Sequence, residues 1–427
     1  MLQLVNVGHK SLADYATLAT RGLLDEIRRL AEPLAGTRVL ELSATAFGGG
    51  VAEIQYTLLP LMQDAGLDVE WRIIRGADEF FAVTKAIHNA LQGNPRGLSD
   101  AEKAIFERYQ ELNARELDVS GYDVVVVHDP QPIGVPAHLD RGDARWVWRA
   151  HIDFSTPNQG VLDFIRPALS LYDAAVFHLA DYVPRSDGLP PCYVWPPAID
   201  PLAPKNMALS AEDAAYIVDQ FGIDVQRPLL TQVSRFDPWK DPLGVIDAYR
   251  LVKREHAGMQ LALIGSMAHD DPEGWEYWHQ VVAYADNDPD VFVLSNLNNV
   301  GAVEVNAFQV HSAAVVQKSI REGFGLTVSE ALWKARPTVA GRVGGIVTQI
   351  EDGVSGGLVG SSEECAAACV EILADPGAAR ARALVGKEGV RRRFLTPRLL
   401  RDWLALFNRL LDTGAEGAEL EVVVGAS

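Results

Sequence analysis

Two hydrophobic patterns alternate along most of this chain. One is a short continuous apolar run, which is typical of a buried strand, and the other has apolar residues three or four positions apart, which is typical of an amphipathic helix. In the first half they predict, in order, strand 37–44, helix 52–64, strand 69–75, helices 79–91 and 100–117, strands 122–128 and 146–151, helix 160–169 and strand 174–178. Strands that alternate with helices form parallel sheets covered by helices. The first half is therefore predicted to be an α/β domain.

The same alternation restarts after a proline-dense segment, residues 190–204, in which Pro196-Pro197 is followed by Pro201 and Pro204. Prolines interrupt regular structure, so the connection between two domains is predicted there. Beyond it the pattern predicts strand 229–234, helix 242–255, strand 260–265, helix 273–285, strand 291–294, helix 302–311, strand 315–317, helix 326–334 and a final amphipathic helix. The second half is predicted to be another doubly wound sheet.

The predicted fold class is therefore α/β, with two doubly wound Rossmann-like domains that face each other across a cleft. The first domain is expected at 1–198, beginning with a helical arm at 1–35, and the second at 199–396. The final helix, 397–412, is expected to pack back on the first domain, and the small, polar tail 413–427 to be disordered. Ligands of such domains bind where strands end, so the cleft is the expected site.

Charge and composition restrict the partners of the protein. Among 427 residues, 38 Lys and Arg stand against 57 Asp and Glu, a formal net charge of −19. Such a charge argues against nucleic acid and against anionic membranes, and any bound phosphate must meet locally placed cations. The three cysteines lack paired metal spacing and are interpreted as reduced core thiols. No signal peptide or membrane span is visible, so a cytoplasmic location is expected.

The most site-like segment is residues 319–330, a polar loop that leads into a helix. Gly323 and Gly325 allow sharp turns and leave room for a ligand, and the free N–H groups at the helix start favour an anion such as phosphate. Glu322 and Glu330 lie eight residues apart, about 12 Å of helix rise, which suits two hydroxyl-bearing groups of one elongated ligand. An ordinary strand-to-helix turn with surface glutamates is the alternative.

A pair of cations, Arg235 and Lys240, follows the first strand of the second domain. Arginine offers a rigid fork and lysine a mobile charge, which together suit a diphosphate that gains charge as a bond to it breaks. In the first domain, Asp129 and His151 end two successive strands, where they could hold hydroxyls or assist proton transfer. Residues of these types at strand ends also form ordinary local hydrogen bonds.

Three motifs, in order, resemble those of the retaining two-domain nucleotide-sugar glycosyltransferases of family 4, whose fold is called GT-B. They are Phe47-Gly48-Gly49-Gly50-Val51, Ser234-Arg235-Phe236-Asp237-Pro238-Trp239-Lys240 and Glu322-x7-Glu330. Longer strings at 79–85, 128–132, 267–275 and 343–346 are similar to those of the trehalose glycosyltransferring synthases. The similarity extends from the N-terminal arm to about Leu411, so only the tail falls outside it.

The resemblance implies reversible transfer of glucose from a nucleoside diphosphate glucose (ADP-, UDP- or GDP-glucose) to free glucose, which gives α,α-trehalose with retained configuration. Arg235 and Lys240 would hold the diphosphate, Glu322 the transferred glucose and Glu330 the ribose. The resemblance also implies two further groups of binding residues, and a homodimer. At the donor these are Gly49, Gly50, Gly323, Phe324, Gly325 and Leu326; at the acceptor they are Asp129, His151 and Lys85.

No enzymic nucleophile stands out, so a front-face mechanism, in which the leaving phosphate helps to deprotonate the acceptor, is expected by resemblance. No cofactor, Mg²⁺ included, is expected to be required. Asp286-Asn287-Asp288 has the spelling of an Asp-x-Asp cation clamp and His269-Asp270-Asp271 is dense in ligands, but both stand in predicted turns beside prolines.

Three alternative functions stay open from the sequence. A trehalose phosphorylase uses phosphate in place of a nucleotide, and another family 4 glucosyltransferase differs in its acceptor. A two-lobed sugar-binding protein belongs to a different class and normally requires export, for which no signal is seen. A ribose contact at Glu330 would argue against the phosphorylase.

Overall fold

A computed structural model describes residues 1–47, 49–185, 188–267, 272–415 and 420–423. Its strands are β1 Gln3–Val5, β2 Arg38–Ser43, β3 Asp68–Ile73, β4 Val124–His128, β5 Arg145–Arg149, β6 Ala174–Phe177, β7 Cys192–Val194, β8 Leu229–Val233, β9 Gln260–Gly265, β10 Val291–Ser295, β11 Ala314–Gln317, β12 Thr338–Gly341, β13 Gly357–Val359 and β14 Val422–Val423. Its helices are α1 Leu23–Ala31, α2 Gly49–Asp64, α3 Asp78–Leu91, α4 Asp100–Arg115, α5 Gln159–Leu169, α6 Ala211–Asp219, α7 Pro242–Glu255, α8 Pro272–Tyr284, α9 Ala302–His311, α10 Leu326–Trp333, α11 Ser362–Ala374, α12 Pro376–Arg393 and α13 Thr396–Leu410.

The chain divides into two compact units, each built on one sheet. The first comprises Met1–Ala198 and Thr396–Ser427, the second Ile199–Leu395. In the first unit the strand order is β1-β3-β2-β4-β5-β6-β7-β14, and in the second it is β10-β9-β8-β11-β12-β13. Helices cross over between parallel neighbours in both units, which confirms the predicted class of two doubly wound Rossmann-like domains.

Each sheet is buried on both faces because successive side chains of a strand point to opposite sides. In β4, Val124 and Val126 join one apolar cluster and Val125 and Val127 join the other. The first cluster also receives the apolar face of α13, and Asn408 Nδ2 of that helix donates to the Leu30 carbonyl over 2.8 Å. The C-terminal helix is therefore part of the first unit's core.

The structure corrects the expectations for three segments. The N-terminal arm contains a strand, β1, which pairs antiparallel with β3, so the first sheet is not purely parallel. The proline-dense segment contains β7. The tail supplies β14, which pairs antiparallel with β7, while residues 416–419 and 424–427 lie outside the described part. Strands of two or three residues are too short to show an alternating pattern, and their partners stand far away in sequence.

Within the described ranges, no helix combines the length and the apolar character that a bilayer-spanning segment needs.

Candidate active site

The loops that follow two neighbouring parallel strands, β8 and β11, meet in the second unit. Lys240 Nζ lies 2.7 Å from both carboxylate oxygens of Glu322, and the two side chains are only 15% and 11% exposed. Ser319 Oγ donates a further hydrogen bond of 3.1 Å to Glu322 Oε2. The structure thus joins two of the predicted site residues into one largely buried ion pair.

The β8 loop is fixed by its own polar side chains. Asp237 accepts a hydrogen bond from the Lys240 backbone N–H, 3.2 Å away, and Gln232 Nε2 donates to the Lys240 carbonyl over 2.7 Å. Asp241, in the left-handed conformation with φ 48°, caps α7 and forms an ion pair with Lys318 of the other loop. Backbone and ion-pair contacts therefore tie the two loops together around Lys240.

Arg235 belongs to the same loop, after β8, and is largely exposed to solvent. Its guanidinium pairs with Asp237 over 2.9 Å, but its side chain is 66% exposed. Burial raises the pKa of the Asp237 carboxyl, and the charges of Arg235 and Lys240 oppose that shift. An exposed guanidinium held by one carboxylate is free to turn toward an anion.

Glycines shape the floor of the β11 loop. Gly325 precedes α10 with φ +83°, and a Cβ there would lie 3.1 Å from Glu322 Cγ. Gly345 donates its N–H to the Gly323 carbonyl over 3.1 Å, and a Cβ on Gly345 would lie 2.7 Å from Phe324 Cα. Phe324 itself is buried against Phe394, with ring centroids 5.4 Å apart. The Phe324 ring is therefore occupied in packing, while the backbone at Gly325, just before α10 begins at Leu326, lies next to Glu322.

Glu330 lies inside the fold and is 2% exposed. Its Oε1 pairs with Lys205 Nζ over 3.1 Å, and its Oε2 is buried with no hydrogen-bond partner among the described residues. Lys334 donates to Asn206 Oδ1 over 3.0 Å, and burial lowers the pKa of its ammonium to about 7. Glu330 is thus an internal ion-pair member with a spare acceptor oxygen, and Lys205 is a partner that sequence patterns did not reveal.

In the first unit, the structure brings Asp129 and His151 together at the ends of β4 and β5. The Asp129 carboxylate accepts a hydrogen bond from the His151 backbone N–H over 2.8 Å. Asp129 adopts a left-handed backbone, φ 62°, which is unusual for a residue other than glycine and is often found at functional sites. Desolvation raises the pKa of the Asp129 carboxyl to about 6. Desolvation also holds the pKa of His151 well below its usual value, so that its ring is neutral.

Behind His151 stands a buried cluster that the sequence analysis missed. His128 Nδ1 lies 2.9 Å from His151 Nε2, and His128 Nε2 lies 2.5 Å from Glu41 Oε2. Gln55 Nε2 donates to the same Glu41 oxygen over 3.1 Å. Glu41 and Gln55 carry no sequence signal, because Glu41 reaches His128 only through the pairing of β2 with β4, and Gln55 Nε2 reaches His128 Nε2, 2.8 Å away, from α2.

The remaining predicted residues of the first unit lie on two helices. Gly49, with φ +75°, and Gly50 begin α2, while Gly48 lies outside the described residues. Lys85 lies on α3 with an exposed side chain.

The two candidate metal motifs have different outcomes. Asp286 and Asn287 adopt left-handed turn conformations, and both Asp288 oxygens bind Lys253 Nζ, at 2.8 and 3.1 Å. That carboxylate is already neutralised by a lysine. His269-Asp270-Asp271 lies outside the described residues. In the part of the chain that is described, no three His, Cys, Asp or Glu side chains are grouped to hold a metal ion.

Replacing Asp129 by asparagine is expected to stabilise the fold while impairing activity. Because its native pKa of about 6 exceeds the ordinary 3.8, Asp129 binds its proton more tightly when folded, and stability declines as pH rises through that window. At pH 7 the substitution should add on the order of 1–3 kcal/mol to the free energy of unfolding. Urea unfolding at pH 7 and at about pH 4 measures the gain, which should shrink at the lower pH.

The matched control for this change is Asp412→Asn. Asp412 is exposed and also has a positive φ, 50°, so the same substitution tests backbone preference without burial. An equal gain in both variants would assign the effect to the left-handed backbone and not to the buried charge.

Comparison with known proteins begins with two family models. "Trehalose synthase, N-terminal domain" matches residues 41–184, and "Glycosyl transferases group 1" matches residues 215–389. The solved α,α-trehalose-phosphate synthase (UDP-forming) from Burkholderia xenovorans, in complex with glucose-6-phosphate, covers 88% of this chain and 100% of its own, with a TM-score of 0.70 and 16% identity. That likeness concerns the fold alone, which is GT-B. The protein is a glycosyltransferase.

A trehalose synthase from Rubrobacter xylanophilus is 59% identical over 96% of this chain and 100% of its own length. The chain therefore belongs to the trehalose synthase family. A trehalose phosphorylase from Pleurotus pulmonarius is a more distant relative, 28% identical over 81% of this chain and 54% of its own length.

Proposed function

We propose that this glycosyltransferase transfers glucose reversibly from a nucleoside diphosphate glucose to free glucose, forming α,α-trehalose with retention of configuration. The observation that carries the proposal is the Lys240–Glu322 pair, 2.7 Å apart at the ends of two parallel strands. A donor of this class presents a dianionic diphosphate next to a hydroxyl-rich sugar. Lysine only donates hydrogen bonds, so it suits the diphosphate, and an ionised carboxylate only accepts them, so it suits the sugar hydroxyls.

On donor binding, Lys240 would exchange part of its contact with Glu322 for the diphosphate, and exposed Arg235 would turn to the same anion. Glu322 would then accept hydrogen bonds from hydroxyls of the transferred glucose. The backbone around Gly323 and Gly325, with the start of α10 at Leu326, supplies N–H groups to the phosphates.

Glu330 would accept hydrogen bonds from the ribose of the donor. Its Oε2, which has no partner among the described residues, is the acceptor in this proposal, while Oε1 keeps Lys205. Buried polar atoms are nearly always hydrogen-bonded in native proteins, so a lone buried carboxylate oxygen favours a hydroxyl-bearing ligand.

On the other unit, Asp129 and His151 would bind hydroxyls of the reacting sugars, with Lys85 at the acceptor. Gly49 and Gly50 would approach the sugar phosphate region. In the chemical step, the bond between glucose C1 and the diphosphate oxygen breaks, and a bond forms on the same face from C1 to the acceptor hydroxyl. The hydroxyl proton passes to the departing phosphate. Lys240 and Arg235 stabilise the charge that develops there.

The decisive experiment supplies ¹³C-labelled glucose with either a nucleotide sugar or α-glucose 1-phosphate. A non-reducing α,α-linked disaccharide, identified by NMR, is expected from ADP-, UDP- or GDP-glucose and not from glucose 1-phosphate. The same product from glucose 1-phosphate alone would favour a phosphorylase. Binding of glucose or trehalose without any turnover would favour a sugar-binding protein.

Chelation is expected to leave turnover largely intact, because Lys240, Arg235 and the helix start already meet the charge of the diphosphate. Activity is measured with EDTA, and again after addition of Mg²⁺ or Mn²⁺. A loss with chelator that is reversed by either ion would contradict the proposal and redirect attention to His269-Asp270-Asp271.

The proposal includes a cytoplasmic homodimer. Cys192, Cys365 and Cys369 are buried free thiols, which suits a reducing compartment. Light scattering should give a mass of twice 46.5 kDa.

A further inference from the structure

The turn between β7 and α6 carries Lys205, to which the proposed function gives no task of its own. Its Nζ lies 3.1 Å from Oε1 of Glu330, which stands on α10 and is 2% exposed. A carboxylate buried this deeply is costly unless a cation balances its charge. The ion pair with Lys205 is therefore a condition for keeping Glu330 inside the fold.

A buried amide holds the turn around Lys205. Asn306 of α9 is 1% exposed, and its Nδ2 donates to the carbonyls of Pro204 and Met207 over 3.1 and 2.9 Å. These two carbonyls lie on either side of Lys205 in the chain. The backbone from which the lysine side chain extends is therefore fixed on α9.

Asn206, the residue after Lys205, ties the same turn to α10. Its carbonyl accepts a hydrogen bond from Trp333 Nε1 over 3.2 Å, and its Oδ1 accepts one from Lys334 Nζ over 3.0 Å. Lys334 also donates to the Glu330 backbone carbonyl over 3.2 Å, so both of these hydrogen bonds from Lys334 go to uncharged oxygens. The Glu330 carboxylate has its ion pair with Lys205 instead.

A carboxylate that is held by one oxygen keeps the direction of the other. A glutamate side chain has several rotatable bonds, and a ligand that binds a loose carboxylate must first order it, which lowers affinity. In Glu330, Oε1 is engaged by Lys205, while Oε2 has no hydrogen-bond partner among the described residues. The ion pair thus leaves one oxygen committed and one available.

We propose that Lys205 is a positioning residue for the donor, because its ion pair with Oε1 fixes the Glu330 carboxylate so that Oε2 accepts hydrogen bonds from the ribose. The ribose in this statement rests on the proposed function. Lys205 itself does not touch the donor in this inference and acts through Glu330.

Kinetics with varied donor give the first test. Lys205→Met should raise the donor KM about three- to tenfold and change kcat about twofold or less, as expected when binding is weakened far from the reacting carbon. Lys205→Arg should recover most of the affinity, because a guanidinium can pair with the same oxygen. A donor KM in Lys205→Met that is unchanged or lower than in the wild type would overturn the proposal.

Lys387→Met is the matched control. Lys387 is also a partly exposed lysine that contacts α10, but it lies over the Trp333 ring, 4.9 Å from the centroid. Its loss should leave the donor KM unchanged. An equal rise in both variants would assign the effect to the packing of α10 and would overturn the role of Lys205.

The double variant Lys205→Met/Glu330→Gln gives the second test, and it removes both charges, so that no buried carboxylate is left unpaired. If Lys205 acts through Glu330, the double variant should have the donor KM of Glu330→Gln to within about twofold. A KM that multiplies the two single effects would overturn the proposal, because Lys205 would then act on the donor independently.

Calorimetry with nucleoside diphosphates separates this inference from the proposed function. The wild type should bind at least one of ADP, UDP and GDP about tenfold more tightly than its 2′,3′-dideoxy form, and Lys205→Met should lose most of that preference. An equal preference in both proteins would overturn the role of Lys205 alone. A wild type that binds no nucleotide, or binds both forms equally, would overturn the proposed ribose contact and this inference with it.

Discussion

Lys240→Met is expected to lower kcat by about 10²–10³-fold, which is typical for loss of one charged donor aimed at developing negative charge. Lys240 Nζ is held at 2.7 Å from Glu322 by a loop that Asp237 and Gln232 fix, so its charge has a defined position beside that carboxylate. Single-turnover measurements with saturating nucleotide sugar give the chemical step directly. A folded variant with near wild-type turnover would remove Lys240 from the mechanism.

Lys253→Met is the matched control for this variant. Lys253 also belongs to the second unit and is also ion-paired, with Asp288 and Asp290 at 2.8 Å each. It lies on α7, however, and its two partners belong to the turn before β10. Methionine there should lower the melting temperature and leave kcat unchanged. If both variants lost turnover equally, the effect of Lys240→Met would reflect disturbed packing and not the loss of a catalytic charge.

Glu322→Gln is expected to lower kcat on the order of 10²-fold and to change donor binding much less. The bonds from Glu322 to the transferred glucose should strengthen as that ring flattens toward an oxocarbenium-like state, so their loss raises the barrier more than it weakens the ground state. The amide also weakens the partnership with Lys240, which leaves that cation less well placed. Steady-state kinetics that vary the donor separate kcat from KM.

Glu330→Gln should have the opposite balance. A carboxylate that holds ribose hydroxyls, remote from the reacting carbon, contributes mainly to donor binding, so the donor KM should rise about 10-fold or more, with a smaller loss of kcat. The variant also leaves Lys205 without its carboxylate partner, so its stability must be measured alongside. A larger KM effect in Glu322→Gln than in Glu330→Gln would reverse the proposed roles of the two glutamates.

The Rossmann-like class could be predicted from the sequence because its elements arise from local patterns. Pro242–Glu255, Gln260–Gly265 and Ala302–His311 begin and end where the hydrophobic spacing places them. Several elements were missed: α6 and α12 were not predicted, and β1 and β14 become strands only by pairing with β3 and β7. Edge strands of two or three residues depend on a partner that local spacing cannot specify.

Part of the candidate site was also predictable, because the carboxyl ends of parallel strands lie on one edge of a sheet. That rule identified Lys240 after β8 and Glu322 after β11, and it identified Asp129 and His151 after β4 and β5. It did not determine which side chains are paired. The prediction of Glu322 and Glu330 as two open ligand contacts misses that one is bound to Lys240 and the other is buried beside Lys205.

By itself, the sequence determined most of the order of strands and helices and the residue types at the strand ends, since both follow from spacing along the chain. Only the tertiary structure decided which distant groups share a low-dielectric interior. Glu41 lies 87 residues before His128, and sheet pairing alone sets their 2.5 Å contact. Burial, which raises the pKa of Asp129 and lowers those of His151 and Lys334, likewise depends on what packs around each group and not on its neighbours in sequence.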